Sequence, residues 1–178
     1  RPDQLAEAAA SLAAAGQNEA ASRGLDKVKA LGFAGTTRGG QAGRLVAGVV
    51  AAGGDPRRLG GRDLVAHLRS FYEPATGRYD ANLYGHSLAV LGLKAAADPI
   101  PPDAVRYFEI NQCPDGGFGH EPGCLQGADV DTTAVALTAL LAGGRTRDDP
   151  SVAKARGWLA SAPNDQAGFG DKQGAATN

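Results

Sequence analysis

Two aspartates at the start of an apolar segment are the residues of this sequence most able to do chemistry. Asp129 and Asp131 are separated by one valine and open a run, 129–142, that is otherwise mostly Ala, Leu, Val and Thr. A carboxyl group in an apolar cavity, next to a second carboxyl group, can stay protonated at neutral pH and act as an acid. Aspartate is also a preferred helix N-cap, and carboxylates in a first helical turn interact favourably with the helix dipole. Three roles are therefore open for the pair: helix cap, contact for a ligand or a weakly held cation, and acid catalyst.

The elements that must position these residues recur along the chain. Turns that combine glycine with an aromatic residue lie around Phe33, Tyr79, Phe118 and Phe169. They are spaced by about 40 to 50 residues, a length typical of one helix-turn-helix repeat. Each turn lies between a charged segment and an apolar segment of small residues. The sequence therefore predicts a series of helical hairpins.

The apolar residues of these segments follow helical spacing. Leu88, Leu91 and Ala95 fall at i, i+3 and i+7 and give the segment 83–97 one continuous face. Gly-Gly and Asp-Pro pairs mark the ends of such segments. We predict about eight helices on these signals. Four of them are poor in charge, and they are expected near residues 4–15, 41–52, 83–97 and 130–142.

The difference in charge between the helices predicts two layers. An inner helix touches neighbours on most sides, whereas an outer helix buries one stripe and shows the rest to water. We expect an all-α fold, an α/α toroid, with the charge-poor helices around a central pocket. His67, on an outer helix, and His120, in a loop, are expected to have no functional role. The residues expected to ring the pocket, at the N-termini of the inner helices, are Tyr84, His86, Asp129, Asp131 and Thr132. For His86 the alternative is a structural role, with its ring hydrogen-bonded inside the fold.

Both cysteines lie at the ends of one interhelical loop, CPDGGFGHEPGC. A disulfide between Cys113 and Cys124 would close a loop of about 11 residues and stabilise the fold by about 3 kcal/mol in the chain-entropy model. Such a bond favours an extracytoplasmic protein. The alternatives are two free thiols in a cytosolic protein, or a zinc site that adds His120 to the two cysteines.

Composition excludes several classes of protein. Hydrophobic residues make up 43% of the 178 residues, enough for the core of one domain, and no run approaches the length of a membrane span. The net charge is −1 and the basic residues are scattered, so a nucleic-acid partner is not expected. No cofactor or bound metal is indicated. The expected partner is a small molecule, another protein, or a second copy that forms a homodimer.

Two segments, RYFEINQCPDGGFG (106–119) and RGWLASAPNDQAGFG (156–170), resemble the repeat of squalene cyclases and protein prenyltransferase β subunits. The likeness covers nearly the whole chain and is strongest from residue 80 to 170. It is closest to bacterial secreted proteins described as prenyltransferase/squalene oxidase repeat proteins, and the cobalamin carriers of the transcobalamin and intrinsic factor group are similar in architecture. The resemblance implies a toroid. A complete toroid has more helices than we predict here, so residues 1–178 are expected to form a single but incomplete domain, a piece of a longer protein.

The resemblance also implies what chemistry to look for. Class II terpene cyclases carry an Asp-x-Asp-Asp-Thr-Ala motif whose middle aspartate protonates an alkene or epoxide, and the matching residue here is Asp131. Thr132 stands where the motif has its next aspartate, and aromatic residues, which stabilise carbocations, are only 6% of the chain. Prenyltransferases bind zinc with an Asp-x-Cys pair, whereas position 131 is aspartate, so zinc-dependent prenyl transfer is not expected.

The sequence thus predicts a secreted or cell-surface domain that binds a ligand or partner in its central pocket without catalysis. One alternative is a cyclase-like enzyme with Asp131 as general acid beside Asp129. Another is a structural interaction domain of the cell surface. In all three cases Phe118 and Phe169 are expected to fill the seams between adjacent outer helices.

Overall fold

In the computed structural model of this protein, residues 1–162 are described, and they form eight α-helices and one short 3₁₀ helix. The α-helices are α1 (Pro2–Ala14), α2 (Asn18–Leu31), α3 (Gly39–Ala51), α4 (Leu64–Arg69), α5 (Leu83–Ala95), α6 (Pro102–Ile110), α7 (Val130–Ala142) and α8 (Pro150–Ala160). The 3₁₀ helix, Pro122–Cys124, lies in the loop between α6 and α7. The prediction of an all-α chain with about eight helices is confirmed.

The four charge-poor helices start and end within two residues of their predicted bounds. The largest difference at a C-terminus is in α5, which ends at Ala95 rather than at residue 97. Ala97 adopts a positive φ of 51°, and the Asp98 N–H donates to the Leu93 carbonyl at 2.9 Å. This reversal satisfies the last carbonyls of the helix, and Pro99 follows it.

The helices form two layers. The odd-numbered helices contact one another in chain order, α1 to α3, α3 to α5 and α5 to α7. The even-numbered helices pack against this row: α2 on α1, α4 on α3 and α5, α6 on α7, and α8 on α7. The described residues therefore contain the predicted inner row with outer helices packed on it, while closure into a toroid stays a prediction.

Glycines let the inner helices touch backbone to backbone. A Cβ atom on Gly40 of α3 would lie 2.6 Å from the Gly85 Cα of α5, and one on Gly92 would lie 2.5 Å from the Gly43 Cα. Carbon atoms do not approach so closely without displacement of one backbone. The glycine content of these two helices is thus a requirement of their packing.

The DGGFG turn fills the space between two outer helices. The Phe118 side chain is fully buried and meets Phe108 of α6 edge to face, with ring centroids 6.3 Å apart. A Cβ atom on Gly117 would lie 2.8 Å from the Trp158 indole of α8. The turn therefore lies between α6 and α8, and Phe118 is buried against α6; that its side chain fills the seam between the two outer helices stays a prediction. Phe169, expected to do the same in the next repeat, lies outside the described residues.

The loop that contains this turn is closed by a disulfide. Cys113 and Cys124 are bonded to each other, with Cα atoms 5.5 Å apart. The predicted disulfide is confirmed, and the alternatives of free thiols or a zinc site at these two residues are excluded. None of the described helices is both long and apolar enough to cross a lipid bilayer.

Candidate ligand-binding cleft

The N-terminal ends of three inner helices enclose a cleft. Its walls come from the starts of α1, α3 and α5 and from the loop before the 3₁₀ helix, and its volume is about 210 Å³. The ends of these helices lie side by side because α3 is in contact with both α1 and α5. Parallel neighbouring helices thus bring residues from three distant parts of the sequence to one place.

Two polar side chains at the start of α5 hold the cleft together. Asn82 caps α5 and accepts a hydrogen bond from the Gly85 N–H at 2.7 Å. The buried carboxylate of Asp80 accepts a hydrogen bond from the Gly40 N–H of α3 at 2.8 Å. Asp80 therefore ties the start of α3 to the start of α5, and only a glycine at position 85 leaves room for its carboxylate.

Positive charge exceeds negative charge among the lining side chains. Arg1, Arg38 and Arg44 face two carboxylates, Asp3 and Asp80, which leaves a formal charge of +1. Arg1 pairs with Asp3 at 3.3 Å, and Asp3 is only 2% exposed. Arg38, the residue before α3, is exposed and makes no ion pair with any other residue in the range 1–162.

Two aromatic rings line the same cleft. The Tyr84 and His120 rings have centroids 6.4 Å apart and planes inclined by only 28°. The loop that carries His120 is anchored because the Leu83 N–H donates to the His120 carbonyl at 2.9 Å. His120, which sequence reasoning left without a role, is therefore positioned at the cleft by the first residue of α5.

Of the residues predicted to ring a pocket, Tyr84 is the one that lines this cleft. His86 is fully buried on another side of α5. Its Nδ1 accepts a hydrogen bond from the Tyr79 N–H at 3.1 Å, and its Nε2–H donates to the Ala104 carbonyl of α6 at 2.9 Å. Burial lowers the pKa of His86 to about 4, so the ring is neutral at physiological pH. His86 therefore has the structural role rather than the pocket-lining one: it links the inner layer to the outer layer and presents no surface to a ligand.

The aspartate pair at α7 is split between two environments. Asp129 is the N-cap of α7 and accepts a hydrogen bond from the Thr132 N–H at 2.7 Å. Thr132 is buried, at 1% exposure, whereas the Asp131 side chain is exposed. None of these three residues lines the cleft. The apolar enclosure that would keep a carboxyl group protonated is not built around Asp131.

The cleft contains groups that can attract an anion. It combines guanidinium groups, aromatic faces and helix N-termini, whose unpaired N–H groups and dipoles favour negative charge. Among residues 1–162, three or more His, Cys, Asp or Glu side chains are nowhere close enough together to hold a metal ion. The arrangement therefore suits recognition of a small polar ligand.

No protein-family model matches this chain, and a comparison with curated proteins gives no match. The resemblance to the repeat of squalene cyclases and prenyltransferase β subunits thus depends on the sequence motifs, and it stays a prediction.

Proposed function

We propose that this protein is an extracytoplasmic ligand-binding domain that holds a small molecule at the N-terminal ends of its inner helices without catalysing a reaction. The cleft between α1, α3 and α5 is the observation that carries the proposal. Its walls are stiff, because α3 and α5 are in backbone contact at Gly40 and Gly85 and are tied together by Asp80. A site that is formed before the ligand arrives loses little conformational entropy on binding.

The size of the cleft limits the ligand. The cleft has a volume of about 210 Å³ and is open to solvent on one side. Pockets for drug-sized molecules are larger, about 300 to 1,000 Å³. Cobalamin and squalene-like hydrocarbons would be held by this cleft only in part, and we propose a compact ligand instead.

The disulfide supports the proposed location. Disulfides persist in oxidising compartments and are rare where thiols are kept reduced. The bond between Cys113 and Cys124 lies in the loop that also carries His120, so oxidation closes the segment next to the cleft. This supports a protein that works outside the cytoplasm.

The cyclase-like alternative has less support from the geometry. A general acid that protonates an alkene must be neutral, and a carboxyl group is kept neutral by burial. Asp131 is exposed, and Asp129 is engaged as a helix cap. The aspartate pair is better explained by helix capping.

Blocking the cleft tests the proposal. Leu88 lines the cleft and Leu91 lies one turn further along the same half-buried stripe of α5 without lining it. We expect Leu88→Trp to fill the cleft, and Leu91→Trp to serve as the matched control. A library of small polar metabolites would be screened by native mass spectrometry and thermal shift, with folding of each variant checked by circular dichroism.

A ligand that binds the wild type and Leu91→Trp, but binds Leu88→Trp about ten-fold more weakly or not at all, is the expected result. A ligand that binds all three proteins equally would place the site elsewhere. A screen with no bound ligand would count against a binding function and in favour of the structural interaction domain.

A further inference from the structure

We infer that the ligand of this cleft is a small planar monocarboxylate, held by the guanidinium groups of Arg38 and Arg44 and covered by the Tyr84 and His120 rings. The inference rests on the proposed function and narrows it to one ligand class. Three independent features of the cleft lead to it: the charges that are left unpaired, the groups that oppose a second negative charge, and the spacing of the two rings.

The first feature is the supply of unsatisfied positive charge. Arg1 is neutralised by the buried carboxylate of Asp3. Arg44 has a weak partner only, because Glu7 is 3.7 Å away and its side chain is 60% exposed. Arg38 has no carboxylate partner within residues 1–162. Two arginines, one directly before α3 and one within it, are thus available, and a guanidinium group matches the geometry of a carboxylate.

The second feature limits the charge of the ligand. Asp3 and Asp80 also line the cleft, and their carboxylates bring the formal charge of the lining side chains down to +1. A singly charged anion is complementary to this value. A doubly charged phosphate would exceed this charge by one, and it would be repelled by the Asp80 carboxylate, which lines the cleft and has no ion-pair partner among residues 1–162.

The third feature is the shape of the remaining space. The Tyr84 and His120 rings are inclined by only 28°, with centroids 6.4 Å apart, so they offer two nearly parallel faces. Aromatic rings prefer offset-stacked neighbours at such separations. A flat ligand of the size of benzoate fits the volume of 210 Å³ and can lie against these faces while its carboxylate reaches the arginines.

The test compares three probes: benzoate, benzamide and inorganic phosphate. Benzamide has the shape of benzoate but no charge, so the pair isolates the contribution of the carboxylate in the wild-type protein. Binding would be measured by calorimetry and thermal shift at low ionic strength, because salt screens exposed charges. We expect benzoate to bind about ten-fold more tightly than benzamide, and more tightly than phosphate.

Variants then locate the site. Arg38→Gln and Arg44→Gln are each expected to weaken benzoate binding by about ten-fold. Arg58→Gln is the matched control, because Arg58 is exposed, does not line the cleft, and makes no ion pair within the described residues. The control should bind benzoate as the wild type does.

Four results would overturn the inference, and they can be told apart. Equal binding of benzamide and benzoate would remove the role of charge, and tighter binding of phosphate would remove the preference for a monoanion. Equal effects of benzoate on the wild type and on the Arg38 and Arg44 variants would indicate a general salt effect. If no probe binds but the library screen finds a neutral ligand, only this inference is overturned. If the library screen finds no ligand at all, the proposed function is overturned as well.

Discussion

Truncation of Phe118 should destabilise the protein strongly, and the same truncation of Phe33 should not. Phe118 is fully buried in the core, with no accessible surface, whereas Phe33, in the glycine turn of an earlier repeat, is 37% exposed. Burial of a phenylalanine removes about 150 to 200 Å² from water, which at about 25 cal/mol per Å² gives about 4 to 5 kcal/mol. We expect Phe118→Ala to cost about 3 to 5 kcal/mol of unfolding free energy, in line with other buried phenylalanines.

The comparison with Phe33→Ala separates the loss of a buried side chain from a disturbance of the glycine turn that carries it. The Phe118 N–H donates to the Thr133 hydroxyl at 2.9 Å and the Phe118 carbonyl accepts from the Asp129 N–H at 3.0 Å, and these backbone hydrogen bonds persist in the alanine variant. Phe33 stacks on His67 with ring centroids 4.2 Å apart, but water can enter the space it leaves. We therefore expect Phe33→Ala to cost only about 1 to 2 kcal/mol.

Urea unfolding at equilibrium, with m-values compared to exclude a change in the unfolded state, measures both costs. For a domain of this size the Phe118 variant should melt about 6 to 20 °C lower than the wild type. Equal costs for the two variants, or a cost below about 1 kcal/mol for Phe118→Ala, would refute the assignment of Phe118 to the closed core. Loss of ligand binding with unchanged stability would do the same.

Two further predictions concern single residues. Asp129→Ala should cost about 1 kcal/mol as the loss of an N-cap, and Asp131→Ala less than about 0.5 kcal/mol, both measured by urea unfolding; the reverse order would contradict the capping role. The second is a pH effect at His86, whose pKa is lowered to about 4 by burial from 6.5. Below pH 6.5 the unfolded state takes up a proton at this residue and the folded state does not, so its contribution to stability is complete above pH 6.5 and falls progressively towards pH 4. Unfolding free energies of the wild type should therefore fall more steeply than those of His86→Gln between pH 6.5 and 4, and parallel curves would show that His86 is not desolvated.

The fold could be predicted from the sequence because its signals are local. Helical spacing, Gly-Gly pairs and Asp-Pro pairs lie within a few residues of the boundaries that they determine, and α7 was predicted to the residue. The cap of α7 was also readable, since Asp129 directly precedes the helix that it caps. The end of α5 was predicted less well, because the positive φ of Ala97 is unusual for alanine and has no signal in the residue type.

Helical geometry explains why Tyr84 and His86 have different surroundings. Successive residues turn by about 100°, so two positions separate these side chains by about 200° around α5. Leu88, Leu91 and Ala95 follow Tyr84 at i+4, i+7 and i+11, and all four are at least partly accessible. His86 lies opposite this stripe and is buried. The helical spacing alone places Tyr84 and His86 on opposite sides of α5. It does not say which side is accessible and which is buried, and that information was missing from the sequence.

Most of the cleft could not be predicted, because its residues meet only through the contacts between repeats. The Gly40 N–H and the Asp80 carboxylate are 40 positions apart, and neither has a local signal for the other. In the sequence, Arg38 is one of many scattered arginines. Only the packing of α3 beside α1 and α5 places it at the cleft. Prediction of such a site requires the order in which the inner helices pack, in addition to the helices themselves.

Some residues that line the cleft also pack the helices together, whereas others only line it. Variants of the second group are the informative ones for the proposed binding. Gly40 and Gly85 both line the cleft and hold α3 against α5, so a larger residue at either position would change the helix spacing and the cleft together. Arg38 and Tyr84 line the cleft without being buried in the core. Loss of binding in a glycine variant would therefore say nothing about the ligand, whereas loss of binding in an Arg38 or Tyr84 variant of unchanged stability would identify a contact. The proposed function is testable because Arg38 and Tyr84 line the cleft from outside the buried core, so that substitutions there are expected to leave the packing of α3 on α5 in place.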